Sequence, residues 1–414
     1  MHKRNKVILA TLALASLAAA SSCTSTTSGA GTKNKTSDGP TVTVGVLTDA
    51  TGPAASGNKT APVGVAAGVA YAKAQGFTVK YVVADTQSSP TGVLSAAQQL
   101  VEQDHVLAVV SVSSLTFLAA SFLTEHHVPV IGVAEDSSEW TSSTNMFSVF
   151  GPVDASKVST TAGLFFKKTG ATNVGTLGYG ISPQSADAAE ATAASAEAVG
   201  LKAGYVNASF QFGSTNVEPV ALAMKAAGVD AMTAQTDPNT GLLLVTALRQ
   251  AGAHIKVALL PTGYGGDLQQ GGPGALSSAQ NVYFLTVFEP MEMHTAATQQ
   301  FAKYLKDAGV RGDPTYAEYG GYTSIALLVQ ALKAAGAGAS QAKLITALSG
   351  IHAFNAAGLL GSHTVDFAKR VASPTGPDNC EYMVKLSGSK FDLVPGADPI
   401  CGTVVPGKTV APPS

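Results

Sequence analysis

Charge is what this chain has least of. Asp, Glu, Lys and Arg make up 13% of its 414 residues, and the net charge is -2. No cluster of Lys and Arg is available to neutralise phosphates, which excludes nucleic acid as a partner. Motifs that carry chemistry are missing as well. No Gly-x-Ser-x-Gly elbow occurs, which argues against a serine hydrolase. Gly178-x-Gly180 opens like a dinucleotide fingerprint, but Pro183 stands where the third glycine belongs. His126-His127 lacks metal-ligand spacing and is expected to close a helix near the surface, where the helix dipole favours it. The expectation is therefore no catalytic set, no cofactor and no metal. An uncharged apolar stretch sits at the N-terminus, and no second one is long enough to span a membrane.

There Lys3, Arg4 and Lys6 precede the uncharged run Val7–Ala20, and the small residues Ala20, Ser21 and Ser22 lead to Cys23. A positive flank, a short apolar core and a small-residue exit describe a secretory signal, residues 1–22. The run falls short of the roughly 20 residues that span a bilayer comfortably. Small residues followed by Cys23 resemble a bacterial lipobox, which implies lipidation of Cys23, although Ala20 replaces the leucine usual in such boxes. The other reading is an ordinary cleaved signal with an incidental cysteine. Thr24–Pro40 is polar and almost free of apolar side chains, so it reads as a flexible tether.

Cys380 and Cys401 remain, with Gly, Pro and polar residues between them. In an oxidising compartment they suggest a disulfide. Two unpaired thiols are the alternative.

From Thr41 one pattern keeps returning: an Ala-rich amphipathic segment, a glycine, then a β-branched run. It appears around Gly76, Gly170, Gly200, Gly228 and Gly252. Glycine just past a helix closes it in the left-handed conformation at little steric cost. Alternating helix, cap and strand predicts an α/β fold of two doubly wound parallel-sheet lobes joined by a multi-strand hinge. The first lobe is assigned to 41–149 plus 288–371, the second to 150–287 plus 372–403, and 404–414 to a tail. A hairpin is expected to turn on Ser387-Gly388-Ser389, and the first crossing between lobes falls near Phe147–Pro152.

The order of short segments from Thr41 to about Val394 resembles the leucine/isoleucine/valine-binding family of ABC-importer receptors, with a type I periplasmic-binding fold. The residues that carry this resemblance are Val44-Gly45-Val46-Leu47-Thr48 with Thr51-Gly52-Pro53, then Val83-Ala84-Asp85-Thr86 with Ser89-Pro90. Gln99-Leu100-Val101, Val106–Val110, Val128-Pro129-Val130-Ile131 and Tyr322 with Ala331-Leu332 follow in order. The chain departs from the family at Gln75-Gly76, at Ser148 after Phe147, and at Ser182-Pro183-Gln184, where members tend to carry Tyr-Gly. These departures leave the fold intact and the ligand open.

Open parallel sheets bind ligands beyond the carboxyl ends of their strands. The candidate contacts are therefore Ser113, Ser114 and Thr116 after the third strand, and Ala134 and Asp136 after the fourth. The resemblance carries ligand contacts to Ser113 or Ser114 and to Ala134 and Asp136. For the serines, simple helix capping is an equal reading. In the second lobe Tyr179, Asp237 and Tyr264 are candidates. The family's amino-acid receptors hold a ligand ammonium with an acidic residue near the last loop, where this chain has Gly263-Tyr264 with Asp267 further on. Trp140 is placed at the cleft mouth as an apolar wall, with core packing as its alternative. The resemblance implies a monomeric, extracytoplasmic, lipid-anchored receptor without enzymatic activity, which delivers a small polar ligand (an amino acid, an amide or a related compound) to an importer permease. A sensor of the same fold signalling to a membrane partner is the alternative, and an exported enzyme a weaker third.

Overall fold

The five glycines singled out by the repeat all have positive φ, from 67° at Gly228 to 87° at Gly76. Each ends a helix and turns the chain directly into a strand, so the repeat becomes a set of crossover units. The computed structural model describes residues 41–134, 138–151, 154–271, 274–336, 338–371 and 379–410. The expected signal, the lipidated Cys23 and the tether lie outside the described residues.

The first sheet contains β1 (Thr41–Thr48), β2 (Thr78–Asp85), β3 (Ala108–Val112), β4 (Val130–Gly132) and β5 (Met146–Ser148). All are parallel, in the order β2-β1-β3-β4-β5. Both faces are covered, so β3 is buried at every residue, as parallel strands require. Side chains alternate between two cores: Leu47, Val109 and Val130 face one, and Val46, Val110 and Ile131 the other. Helix Pro90–Gln98 covers the first face, begun by Ser89, whose hydroxyl accepts from the Gly92 N–H at 3.1 Å. Helices Ala61–Ala74 and Tyr316–Ala335 cover the other. They touch closely at Gly64 and Gly321, where an added Cβ would meet Glu318 O at 2.3 Å and Ala61 O at 2.5 Å. The helix from the late sequence therefore packs on the first sheet.

The second lobe opens with β6 (Lys157–Ser159). Its main strands are β7 (Asn173–Tyr179), β8 (Lys202–Phe210), β9 (Ala231–Gln235), β10 (Val257–Leu260), β11 (Tyr283–Thr286), β12 (Cys380–Ser387) and β13 (Lys390–Leu393). The sheet order is β13-β12-β11-β10-β9-β7-β8, with the short β14 (Ile400–Cys401) beside β12. β12 and β13 form the expected hairpin and run antiparallel, so this sheet is mixed rather than wholly parallel. Cys380 and Cys401 are paired opposite each other in the ladder and joined by a disulfide. Val404–Thr409 corrects the tail assignment: it is strand β15, paired antiparallel with β6, because its backbone groups find partners there.

The crossings between lobes pack on aromatic rings. Phe150, at the first, lies 5.3 Å from Phe288, at the second, and 5.7 Å from Tyr316, centroid to centroid. The third crossing, expected near residue 372, falls at residues 372–378, which lie outside the described residues. Among the described residues no helix is long and apolar enough to cross a membrane.

Candidate functional site

Each sheet reverses its strand order once, between β1 and β3 in the first lobe and between β7 and β9 in the second. Ligands enter doubly wound folds at such switch points, outside the carboxyl ends of the strands. Here the two switch points face one another across a cavity of ≈ 220 Å³. The loops after β1 and β3 supply Asn58 and Ser114, and the loop after β4 supplies Ala134. From the second lobe come Tyr179, Ser182, Gln184, Gln235, Asp237, Thr262 and Asp267. Tyr316, the first residue of a long first-lobe helix, closes one side.

In the first lobe one carboxylate organises the loops. Asp49 is fully buried just past β1. It accepts from Asn58 Nδ2 at 2.9 Å, Ser113 Oγ at 2.7 Å, the Ser114 N–H at 2.8 Å and the Thr86 hydroxyl. Four donors from three separate segments converge on it, which meets the requirement that a buried carboxylate be fully hydrogen-bonded. Asp85 does the same nearer the surface. Partial burial would raise its pKa, but the Thr51 hydroxyl and the N–H groups of Gln87, Thr51 and Ala50 outweigh that and lower it.

In the second lobe Asp237 begins helix Pro238–Gln250 and accepts from the Asn239 and Thr240 N–H groups. It also accepts from the Thr240 hydroxyl at 2.8 Å and from the Tyr179 phenol. Burial, then the nearby Asp237 charge, pushes the Tyr179 phenol well up, so it remains a donor. Ser56, from the first lobe, reaches Asp237 across the cleft at 3.3 Å. That bond joins the lobes at the rim of the cavity.

Asp267 differs from these two. It is 2% exposed, and its Oδ2 meets the Tyr316 N–H at a long 3.5 Å. Its Oδ1 is buried without a hydrogen-bond partner. Burial raises its pKa strongly, and the Glu318 carboxyl adds to the rise. Glu318 itself is pushed up to about 7 by burial. Asp267 lines the cavity, and a residue with an unsatisfied buried oxygen is the one most in need of a partner.

Four of the expected site residues therefore line the cavity: Ser114, Ala134, Tyr179 and Asp237. Four do not. The Ser113 hydroxyl is buried and committed to Asp49, which makes it scaffold. Thr116 shares a hydrogen bond with Ser111 at 2.7 Å beneath the loop. Tyr264 turns away from the cavity, its hydroxyl donating to Glu292 at 2.6 Å and its ring set against Phe391. Trp140, expected at the cleft mouth, is fully buried in the first lobe among Leu115, Leu123, Val130 and Met146. The indole is too apolar to remain at the rim when that core has room for it. Asp136 lies outside the described residues.

Sequence reasoning missed Asn58, Gln235, Thr262 and Tyr316. Gln235 and Thr262 stand at or just past strand ends, a signal that was available. Tyr316 gave none, because it enters from a helix over a hundred residues beyond Ala134 in the chain. Gly402–Thr409 spells the phosphate-loop pattern Gly-x-x-x-x-Gly-Lys-Thr. Its last residues form β15 rather than opening a helix, so the amide cradle of a phosphate loop is not built. Among the described residues no group of His, Cys, Asp and Glu is placed to hold a metal.

Residues 41–388 match a family model described as periplasmic binding protein. No curated protein matches the chain in sequence. Solved structures agree in fold. A solute binding protein of an R. palustris ABC transporter, in complex with 4-hydroxybenzoate, is 20% identical with a TM-score of 0.72, covering 86% of this chain and 96% of its own. A leucine binding protein from Thermotoga maritima is 17% identical with a TM-score of 0.69, covering 85% and 97%. A branched-chain amino acid transporter substrate binding protein from Streptococcus pneumoniae, in complex with isoleucine, is 20% identical with a TM-score of 0.70, covering 88% and 99%.

Proposed function

The chain belongs to the periplasmic binding protein family, and from that premise we propose that it is the extracytoplasmic receptor of an ABC importer, closing two lobes on a small polar molecule. The observation that carries this reading is a cavity walled by both lobes at their switch points, with the buried carboxyl Asp267 in its lining. A ligand that satisfies groups on both lobes favours the closed arrangement over the open one, so binding shifts a hinge equilibrium. A permease then distinguishes loaded from empty receptor by shape. Binding without turnover is the role we assign, as for the solute binding proteins it resembles. Solved relatives hold 4-hydroxybenzoate and isoleucine, and the cavity suits ligands of that size.

The N-terminal signal and Cys23 support a lipid anchor on the outer face of the cell membrane. Cys23→Ala is expected to release the protein from the membrane fraction without loss of ligand binding; retention in that fraction would argue against the anchor. Small-angle scattering with and without a saturating ligand tests the receptor reading. A more compact particle is expected on binding, and an unchanged envelope with independently measured binding would mean a rigid site.

A further inference from the structure

We propose, on the basis of the receptor reading above, that the ligand is an organic cation without a free carboxylate, such as an amine or guanidine. The inference comes from the charge balance of the cleft.

A ligand carboxylate needs donors or a cation. The loop after β3 is the natural source of donors, but Asp49 already takes the Ser113 hydroxyl and the Ser114 N–H. The protein's own carboxylate thus occupies the groups that would hold a carboxylate from outside. Cations are no more available. The 220 Å³ cavity is lined by Asp237 and Asp267 and by no Lys, Arg or His.

A second chamber of ≈ 410 Å³ shares Ala134, Gln184, Ala188, Gln235, Pro261 and Tyr316 with the first, so the two form one cleft. Its lining adds Asp154 and Glu381, with Lys157 as the one described cation, itself 3.8 Å from Asp154. The segments between 41 and 410 that lie outside the described residues contain no Lys, Arg or His in sequence. An anion brought into this cleft would be desolvated with no unpaired cation among the described residues that line it to offset the cost, which is unfavourable.

A cation meets the opposite situation. Asp267, which lines the first chamber, and Glu381, which lines the second, each carry a buried carboxyl oxygen without a hydrogen-bond partner. Ammonium and guanidinium groups present donors only, and so complement acceptors of this kind.

Calorimetry on the full chain, with putrescine and agmatine set against isoleucine and 4-hydroxybenzoate, tests the proposal. Saturable binding of a cationic probe is expected, tighter than either carboxylate by about a hundredfold or more. Asp267→Asn should weaken that binding by at least about tenfold while leaving the circular dichroism spectrum unchanged. Asp49→Asn, where it folds, should raise the affinity for the carboxylates. Tighter binding of isoleucine or 4-hydroxybenzoate than of either cation would overturn the inference and leave the receptor reading standing. So would a cation affinity indifferent to Asp267→Asn. Failure of every probe in both classes would instead count against the receptor reading from which the inference starts.

Discussion

Trp140 offers a sharp test of how the first lobe is packed, because it is the only tryptophan in the chain. Its side chain is fully buried among Leu115, Leu123, Val130 and Met146. Trp140→Phe removes about three buried heavy atoms, which at roughly 0.8 kcal/mol per apolar group amounts to about 2 kcal/mol. Trp140→Ala should cost about 3–5 kcal/mol, since the cavity left behind is only partly filled by relaxation. At about 2–4 °C per kcal/mol for domains of 150–250 residues, the phenylalanine variant should melt ~4–8 °C lower. Indole fluorescence in the native protein should be blue-shifted and resistant to acrylamide, and it should shift to the red only with the unfolding of this lobe. Ligand binding should leave the emission unchanged, because the indole faces its own lobe's core and not the cavity. Native fluorescence open to acrylamide, or a phenylalanine variant with an unaltered melting point, would refute the buried placement. A saturable emission change with ligand, in turn, would return Trp140 to the cleft.

Three further expectations concern the frame of the site. Reducing Cys380–Cys401, or replacing both with Ala, should cost about 3 kcal/mol in the chain-entropy model; intact mass before and after reduction checks the bond, and an unchanged denaturation midpoint would show that β12 and β14 need no covalent link. Burial alone would raise the Asp230 pKa, but hydrogen bonds from Lys256, Thr172 and Asn173 hold it at about 2 against an ordinary 3.8. The lowered folded value means its contribution is fully present above about pH 4 and is lost as pH falls toward 2. Asp230→Asn should therefore lower the urea midpoint at neutral pH and leave it equal to the parent's near pH 2; a gap that persists in acid would show that the loss is not ionic. Gly64→Ala places a methyl 2.3 Å from Glu318 O, so helices Ala61–Ala74 and Tyr316–Ala335 must separate. A loss of about 1–3 kcal/mol is expected, together with weaker ligand binding, since Tyr316 begins the displaced helix; calorimetry and thermal melts with unchanged values would show that the pair yields without strain.

Much of the architecture was legible because its signals are local. A glycine at a helix end and a β-branched run each act within a few residues, and each formed the element expected of it. The two late cysteines needed only to be the pair left over in an exported chain. The site was legible only as a set of loops, since strand ends mark where a crevice lies without saying which side chains remain free in it. Tertiary structure alone decided that. Ser113 and Asp49 are 64 residues apart in sequence, and only their meeting turns a candidate ligand donor into scaffold. Trp140 left the rim because packed neighbours offered it a dry pocket, while Asp267 kept one buried oxygen without a hydrogen-bond partner. Whether a polar group is satisfied depends on everything the fold brings around it, and a sequence lists those partners without their distances.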